Sequence, residues 1–238
     1  MTLLLVVTAV TAERDAILAG LGAPGVDASA ATGAEDPITA GTNDSTTVGA
    51  HVLTVGVGVA SAAARTARWL TERNLRGHAY DAVISAGIGG VFAGRGALGD
   101  IVVGRRTIAA DLGADSPDGY LTLSDLGFGT DAVDADPDLF ERVASALPAA
   151  VKGSVLSVHT VTGTAARAAE LSERHPDAVA EAMEGWGVAT AAEDQRVPFV
   201  EIRTVSNFVG PRDRSAWRID LAMGALTRVG KALATLVG

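Results

Sequence analysis

No cysteine occurs in the 238 residues. Its absence excludes a disulfide scaffold, a thiolate metal site and a cysteine nucleophile, and it suits a reducing cytoplasmic setting. Aromatic residues are scarce, at 4%, while glycine is plentiful, at 28 residues; a core built this way packs backbone close to backbone. Positive charge is also short, with 19 Lys and Arg against 28 Asp and Glu and a net charge of -9. A nucleic-acid surface needs clustered cations to meet phosphates, so a small-molecule partner fits better. Long apolar runs are missing too. None approaches the roughly 20 residues of a membrane span. The opening run Met1 to Val10 lacks a basic leader and stops at Thr11-Ala12-Glu13-Arg14, which reads as a first buried strand rather than a signal peptide.

What is present is ordinary globular composition, 48% hydrophobic and 20% charged, and the expectation is one domain over residues 1–238. Short Val- and Ile-rich runs alternate with longer Ala-rich segments of helical period, the pattern of helices covering both faces of a largely parallel or mixed sheet. The predicted strands are Leu3–Val7, His51–Val55, Ala82–Ser85, Asp100–Ile108, Gly153–Val161 and Phe199–Val205. The predicted helices include Ala60–Asn74, Pro137–Leu147 and Ile219–Val237, the second with Pro in its first turn and Asp134 or Asp136 as cap. Ala23 to Ala50 is irregular and reads as a loop with one or two short edge strands. Gly113 to Gly119 reads as a second loop.

Single motifs decide little. Gly56-Val57-Gly58-Val59-Ala60-Ser61 lies between a strand and a helix, but its third glycine is replaced by Ser61, so as a dinucleotide fingerprint it fails and a tight turn is the plainer reading. The four histidines show no metal-ligand spacing, and no G-x-S-x-G elbow supports serine-hydrolase chemistry. Glu13, just past the first strand, stands at the carboxyl edge where α/β sheets hold ligands, yet by position alone it is a first-turn acid favoured by the helix dipole. Glu184, in Met183-Glu184-Gly185-Trp186-Gly187, would by default lie on a solvated helix face. Two flanking glycines and a Trp suit such a face poorly.

Taken in order, the pieces resemble a known superfamily over nearly the whole chain. They are the first strand leading to Glu13, Gly56 to Ala63, Ile84-Ser85-Ala86-Gly87-Ile88-Gly89-Gly90, Leu98-Gly99-Asp100-Ile101-Val102-Val103, Val161-Thr162-Gly163-Thr164, Met183-Glu184-Gly185 and Val205-Ser206-Asn207. The resemblance is to the nucleoside phosphorylases and nucleosidases, especially the methylthioadenosine/S-adenosylhomocysteine nucleosidases and, more closely, the futalosine hydrolases of menaquinone biosynthesis. It implies a three-layer αβα sandwich with a mixed central sheet. It further implies N-glycosidic hydrolysis of a purine nucleoside without cofactor or metal, and a homo-oligomer, dimer or larger.

Carried over residue by residue, the resemblance makes Glu13 the carboxylate that activates water and Glu184 the acceptor of the ribose hydroxyls, with Met183 packed on the sugar. A carboxylate can accept from both donors of a vicinal diol, and its charge favours an oxocarbenium ion over neutral substrate. Ala166 is implied to offer its backbone to the base. Asn207 stands where the methylthioadenosine nucleosidases carry Asp. Its amide can donate to a 6-oxo group and accept from N7–H, which points to hypoxanthine as leaving group and to stabilisation by hydrogen bonding rather than acid catalysis. Ala12-Glu13 occupies the place of the phosphorylases' phosphate loop, which favours water as nucleophile. Futalosine carries a carboxylated phenyl ring on its 5′ side, so Arg212 or Arg214 could pair with that carboxylate; a solvated loop is the equal alternative. A purine nucleoside phosphorylase, a methylthioadenosine nucleosidase and, more distantly, an NAD-binding module are the competing readings.

Overall fold

Val, Leu and Ile runs become strands and Ala-rich segments become helices in a computed structural model that describes residues 2–22 and 49–237. In chain order these are β1 (Leu4–Thr8), α1 (Thr11–Leu21), β2 (Ala50–Thr54), α2 (Val59–Leu75), β3 (Ala82–Val91), β4 (Ile101–Ala109), β5 (Gly113–Ser116) and β6 (Gly119–Thr122). They continue with β7 (Ala132–Asp134), α3 (Pro137–Ala146), β8 (Val151–Ser157), α4 (Ala165–Arg174), β9 (Ala178–Ala182), α5 (Gly185–Asp194), β10 (Phe199–Phe208) and α6 (Ile219–Ala234). Arg214–Ala216 forms a short 3-10 turn ahead of α6. The loop expected from Ala23 onward lies, up to residue 48, outside the described residues, and Ala50 already belongs to β2. Among the described residues no helix is long and apolar enough to cross a membrane.

The sheet is mixed, as expected. β2, β1, β3 and β10 run parallel side by side, and β10 pairs antiparallel with β4, which continues in parallel to β8 and β9. The end of β9 then returns to the end of β3, antiparallel, through Gly90–Glu181 and Val91–Ala180. The sheet therefore curls until five of its strands close on themselves. Both faces are covered, which is why β1 is buried at every position and apolar from Leu4 to Val7. Leu4 and Val6 face Ile17, Leu139, Leu226 and Val229 of α1, α3 and α6. Leu5 and Val7 face Leu70 and Val188 of α2 and α5. This is the αβα sandwich that the resemblance implies.

Several sequence expectations change, and two strands run on past their expected ends, β3 from Ser85 to Val91 and β10 from Val205 to Phe208. Gly113 to Gly119 is not an open loop but most of a β5–β6 hairpin, closed by the pairing of Ser116 with Gly119, whose φ of 120° a side chain would resist. Its polar composition hides the strands. β8 ends at Ser157 rather than Val161, so residues 158–163 leave the sheet and form a loop at its carboxyl edge.

Candidate active site

β1 ends at Thr8, and the chain turns through Ala9 and Val10 into α1. Glu13 reaches back across that turn. Its Oε2 accepts from the N–H groups of Ala9 (2.9 Å) and Val10 (3.2 Å), which the helix start leaves without partners. Its Oε1 accepts from the Ile88 N–H on β3 at 2.9 Å. The first-turn acid foreseen from position is thus also tied to a neighbouring strand, and it is buried. Burial pushes its carboxyl above the usual range, the Glu184 charge adds to the rise, and the Ile88 N–H and Arg203 oppose it.

Glu184 occupies the turn between β9 and α5, and it too is buried rather than on a solvated face. Oε1 accepts from the Gly58 N–H beyond β2 at 3.1 Å, and Oε2 lies 3.4 Å from Nη1 of Arg203. Met183 beside it is half-buried. Arg203, on β10, lies between the two acids, touching Glu184 and acting on Glu13 through its charge. Its Nη2 donates to Ser85 Oγ at 3.1 Å, and its Nε donates to Glu201 Oε1 at 2.7 Å. A Cβ on Gly87 would stand 2.6 Å from Arg203 Nη1 and 2.7 Å from Glu13 Oε1, so a glycine is needed where guanidinium and carboxylate converge. Burial disfavours the Arg203 charge, but Glu201, Glu184 and Glu13 outweigh it and hold the guanidinium firmly protonated.

Asn207 follows Arg203 on the same strand, just past a bulge that sets it opposite Gly90. Its Oδ1 accepts from Ser206 Oγ at 2.8 Å and its Nδ2 donates to the Phe208 carbonyl at 3.0 Å. Because a carbonyl only accepts, this contact fixes which way the amide points. Ala166 lies exposed in the first turn of α4, where backbone N–H groups face outward. Ahead of it, the buried Glu181 accepts from both the N–H (2.8 Å) and the hydroxyl (2.5 Å) of Thr162, and the Gly163 carbonyl accepts from the Arg212 N–H at 3.3 Å.

The arginine segment lies outside the buried cluster. Arg212 and Arg214 are exposed, with guanidinium carbons 5.9 and 6.0 Å from the Trp217 ring centre. Arg218 is engaged with Asp220 at 2.7 Å, and its N–H binds the Ser206 carbonyl at 2.7 Å, which ties the segment to the strand beside Asn207.

Comparison with known proteins shows the family. The model of the phosphorylase superfamily matches residues 5–238. The futalosine hydrolase of Streptomyces coelicolor is 51% identical over 229 residues, which span 96% of this chain and 94% of the relative. That of Acidothermus cellulolyticus is 45% identical over 98% of this chain and 89% of the relative. The chain belongs to the futalosine hydrolase family of the phosphorylase superfamily. Among solved structures, the 5′-methylthioadenosine/S-adenosylhomocysteine nucleosidase of Neisseria meningitidis shares the fold with a TM-score of 0.76 at 20% identity, covering 100% of this chain and 99% of that one.

In this futalosine hydrolase family member, sequence reasoning found the two acids and missed what joins them. Glu201, Arg203, Ser85 and Thr107 fall within predicted strands and Glu181 in the segment leading to Glu184, and the sequence pattern gives none of them a role. A signal existed for the first two: Glu201 and Arg203 stand two apart as the charged residues of a Val- and Ile-rich run, so the strand period puts opposite charges on one face of a buried strand.

Proposed function

We propose that the chain, acting as one domain, hydrolyses the N-glycosidic bond of futalosine to hypoxanthine and dehypoxanthine futalosine. The observation that carries this reading is the meeting of Glu13 and Glu184 around Arg203 with Asn207 farther along the same strand, in a chain 51% identical to a futalosine hydrolase. Glu13, its carboxyl raised by burial, is poised to take a proton from water attacking C1′. Glu184 accepts from the ribose hydroxyls and stabilises the cationic sugar, and Met183 packs on the ring. The Asn207 amide keeps one N–H and one lone pair after meeting Phe208 and Ser206. These suit O6 and N7–H of hypoxanthine. Ala166 offers backbone N–H from the start of α4.

Arg212 and Arg214 take the carboxylate of the 5′ extension in this reading, supported by their exposure and by the tie of their segment to Gly163 and Ser206. A cytoplasmic homo-oligomer belongs to the same reading, the compartment supported by the lack of cysteine. The test is base release from futalosine, inosine and methylthioadenosine, each with and without phosphate. Futalosine is expected to be cleaved fastest and without phosphate. Strict phosphate dependence, or preference for methylthioadenosine, would overturn the assignment.

A further inference from the structure

Glu201 plays no part in the reading above, yet its side chain is fully enclosed. It precedes Arg203 by two residues on β10, so the pleat sends both side chains to one face. A buried ion persists only when paired and fully hydrogen-bonded. Here both conditions hold: Oε1 accepts from Arg203 Nε at 2.7 Å, and Oε2 accepts from the Thr107 hydroxyl of β4 at 2.5 Å. The room it occupies is reserved for it. A Cβ on Gly185, the residue after Glu184, would overlap this carboxylate.

The distances rank the partners of Arg203. Its short bond is to Glu201, and its contact with Glu184, at 3.4 Å, is the longest of the three. An arginine gripping Glu184 as a fork would occupy both oxygens that a ribose diol needs. Resting on the function proposed above, we infer that Glu201, oriented by Thr107, is a positioning residue. It anchors Arg203 by Nε, so that the guanidinium braces Glu184 and holds its charge near Glu13 while leaving Glu184 able to accept from substrate. The charged groups facing Glu13 are Arg203 of β10 and Glu184 of the β9–α5 turn; β3 contributes the Ile88 N–H and the turn into α1 those of Ala9 and Val10.

Glu201→Gln keeps the size and an acceptor for Nε but removes the charge. Arg203 then acts more strongly on Glu184 and Glu13. The expected result is a fall in kcat/KM for futalosine of about tenfold to a hundredfold, the scale of a misplaced catalytic group, with the acid limb of its pH profile displaced to lower pH. Thr107→Val should lose activity in the same sense, and Thr107→Ser should restore it. Wild-type kcat/KM in E201Q and T107V overturns the inference, and so does a loss that follows the melting temperature with an unmoved acid limb. If E201Q does not fold, the Thr107 pair decides: equal activity in T107V and T107S overturns the positioning role. Wild-type protein assayed alongside separates the two claims, since failure to release hypoxanthine would sink the function itself. Apart from turnover, hydrogen exchange of the Arg203 Nε–H should be slow in wild type and faster in T107V; equal rates count against the anchor.

Discussion

Glu13 receives three backbone hydrogen bonds, which favour the ionised form, but burial outweighs them and raises its pKa. As the base, Glu13 must be deprotonated, so kcat/KM should fall as pH drops through this raised value, above the ordinary glutamate range of about 4.3. A pH profile of hypoxanthine release checks this. Glu13→Gln should lower kcat by roughly 10² to 10⁴ with KM little changed; an unchanged kcat removes Glu13 from the mechanism. The same shift links to stability. A carboxyl raised on folding contributes stability that is whole below the unfolded pKa and is lost as pH rises through the folded one. Asn207→Asp should move preference from 6-oxo towards 6-amino purines by about tenfold or more, read as the ratio of kcat/KM values. An unaltered ratio would refute the base pocket as drawn. Replacing both Arg212 and Arg214 by Ala should weaken futalosine about tenfold or more while sparing inosine, and equal losses would speak against carboxylate recognition.

Among the elements, α1 and α6 cross with almost no side-chain spacing. A Cβ on Gly230 would overlap the Ile17 carbonyl oxygen, and Gly20 meets the backbone of α6 in the same way. Overpacking of this kind costs about 1 to 3 kcal/mol, so Gly230→Ala should lower the melting temperature by several degrees, and calorimetry can read it. The shortage of aromatics and the wealth of glycine noted in the sequence have this meaning: helices meet backbone to backbone. α3 shows the opposite case, an element legible locally. Asp136 caps it by accepting from the Leu139 N–H at 2.9 Å, with Pro137 in the first turn, as the sequence indicates. The β5–β6 hairpin was not legible, because its strands are four residues long and partly exposed and β5 and the turn after it are polar. Nor was the end of β8, where Val158 and Val161 continue an apolar run that the sheet does not follow.

For the molecule as a whole, the buried charge is the main electrostatic liability. Arg203 answers three acids, Glu13, Glu184 and Glu201, and removing it leaves them uncompensated. Arg203→Met should destabilise the fold by about 3 to 5 kcal/mol at neutral pH. The loss should shrink in acid as Glu13 takes up a proton, which denaturant titrations at two pH values would show. The sequence by itself determined β1, β2, β3, β4, β8 and β10 as strands and α2, α3 and α6 as helices, since apolar runs and helical periods are local, and it pointed to Glu13, Glu184 and Asn207 through the resemblance of its ordered motifs to a known family, since no one of those motifs decides by itself. Only the tertiary structure decided what joins them. Thr107, Ser85, Glu201 and Arg203 come from three strands that meet because β10 pairs with β3 on one side and with β4 on the other. Whether a charged strand residue faces water or a buried counter-charge depends on which strands close around it, and no local pattern carries that information.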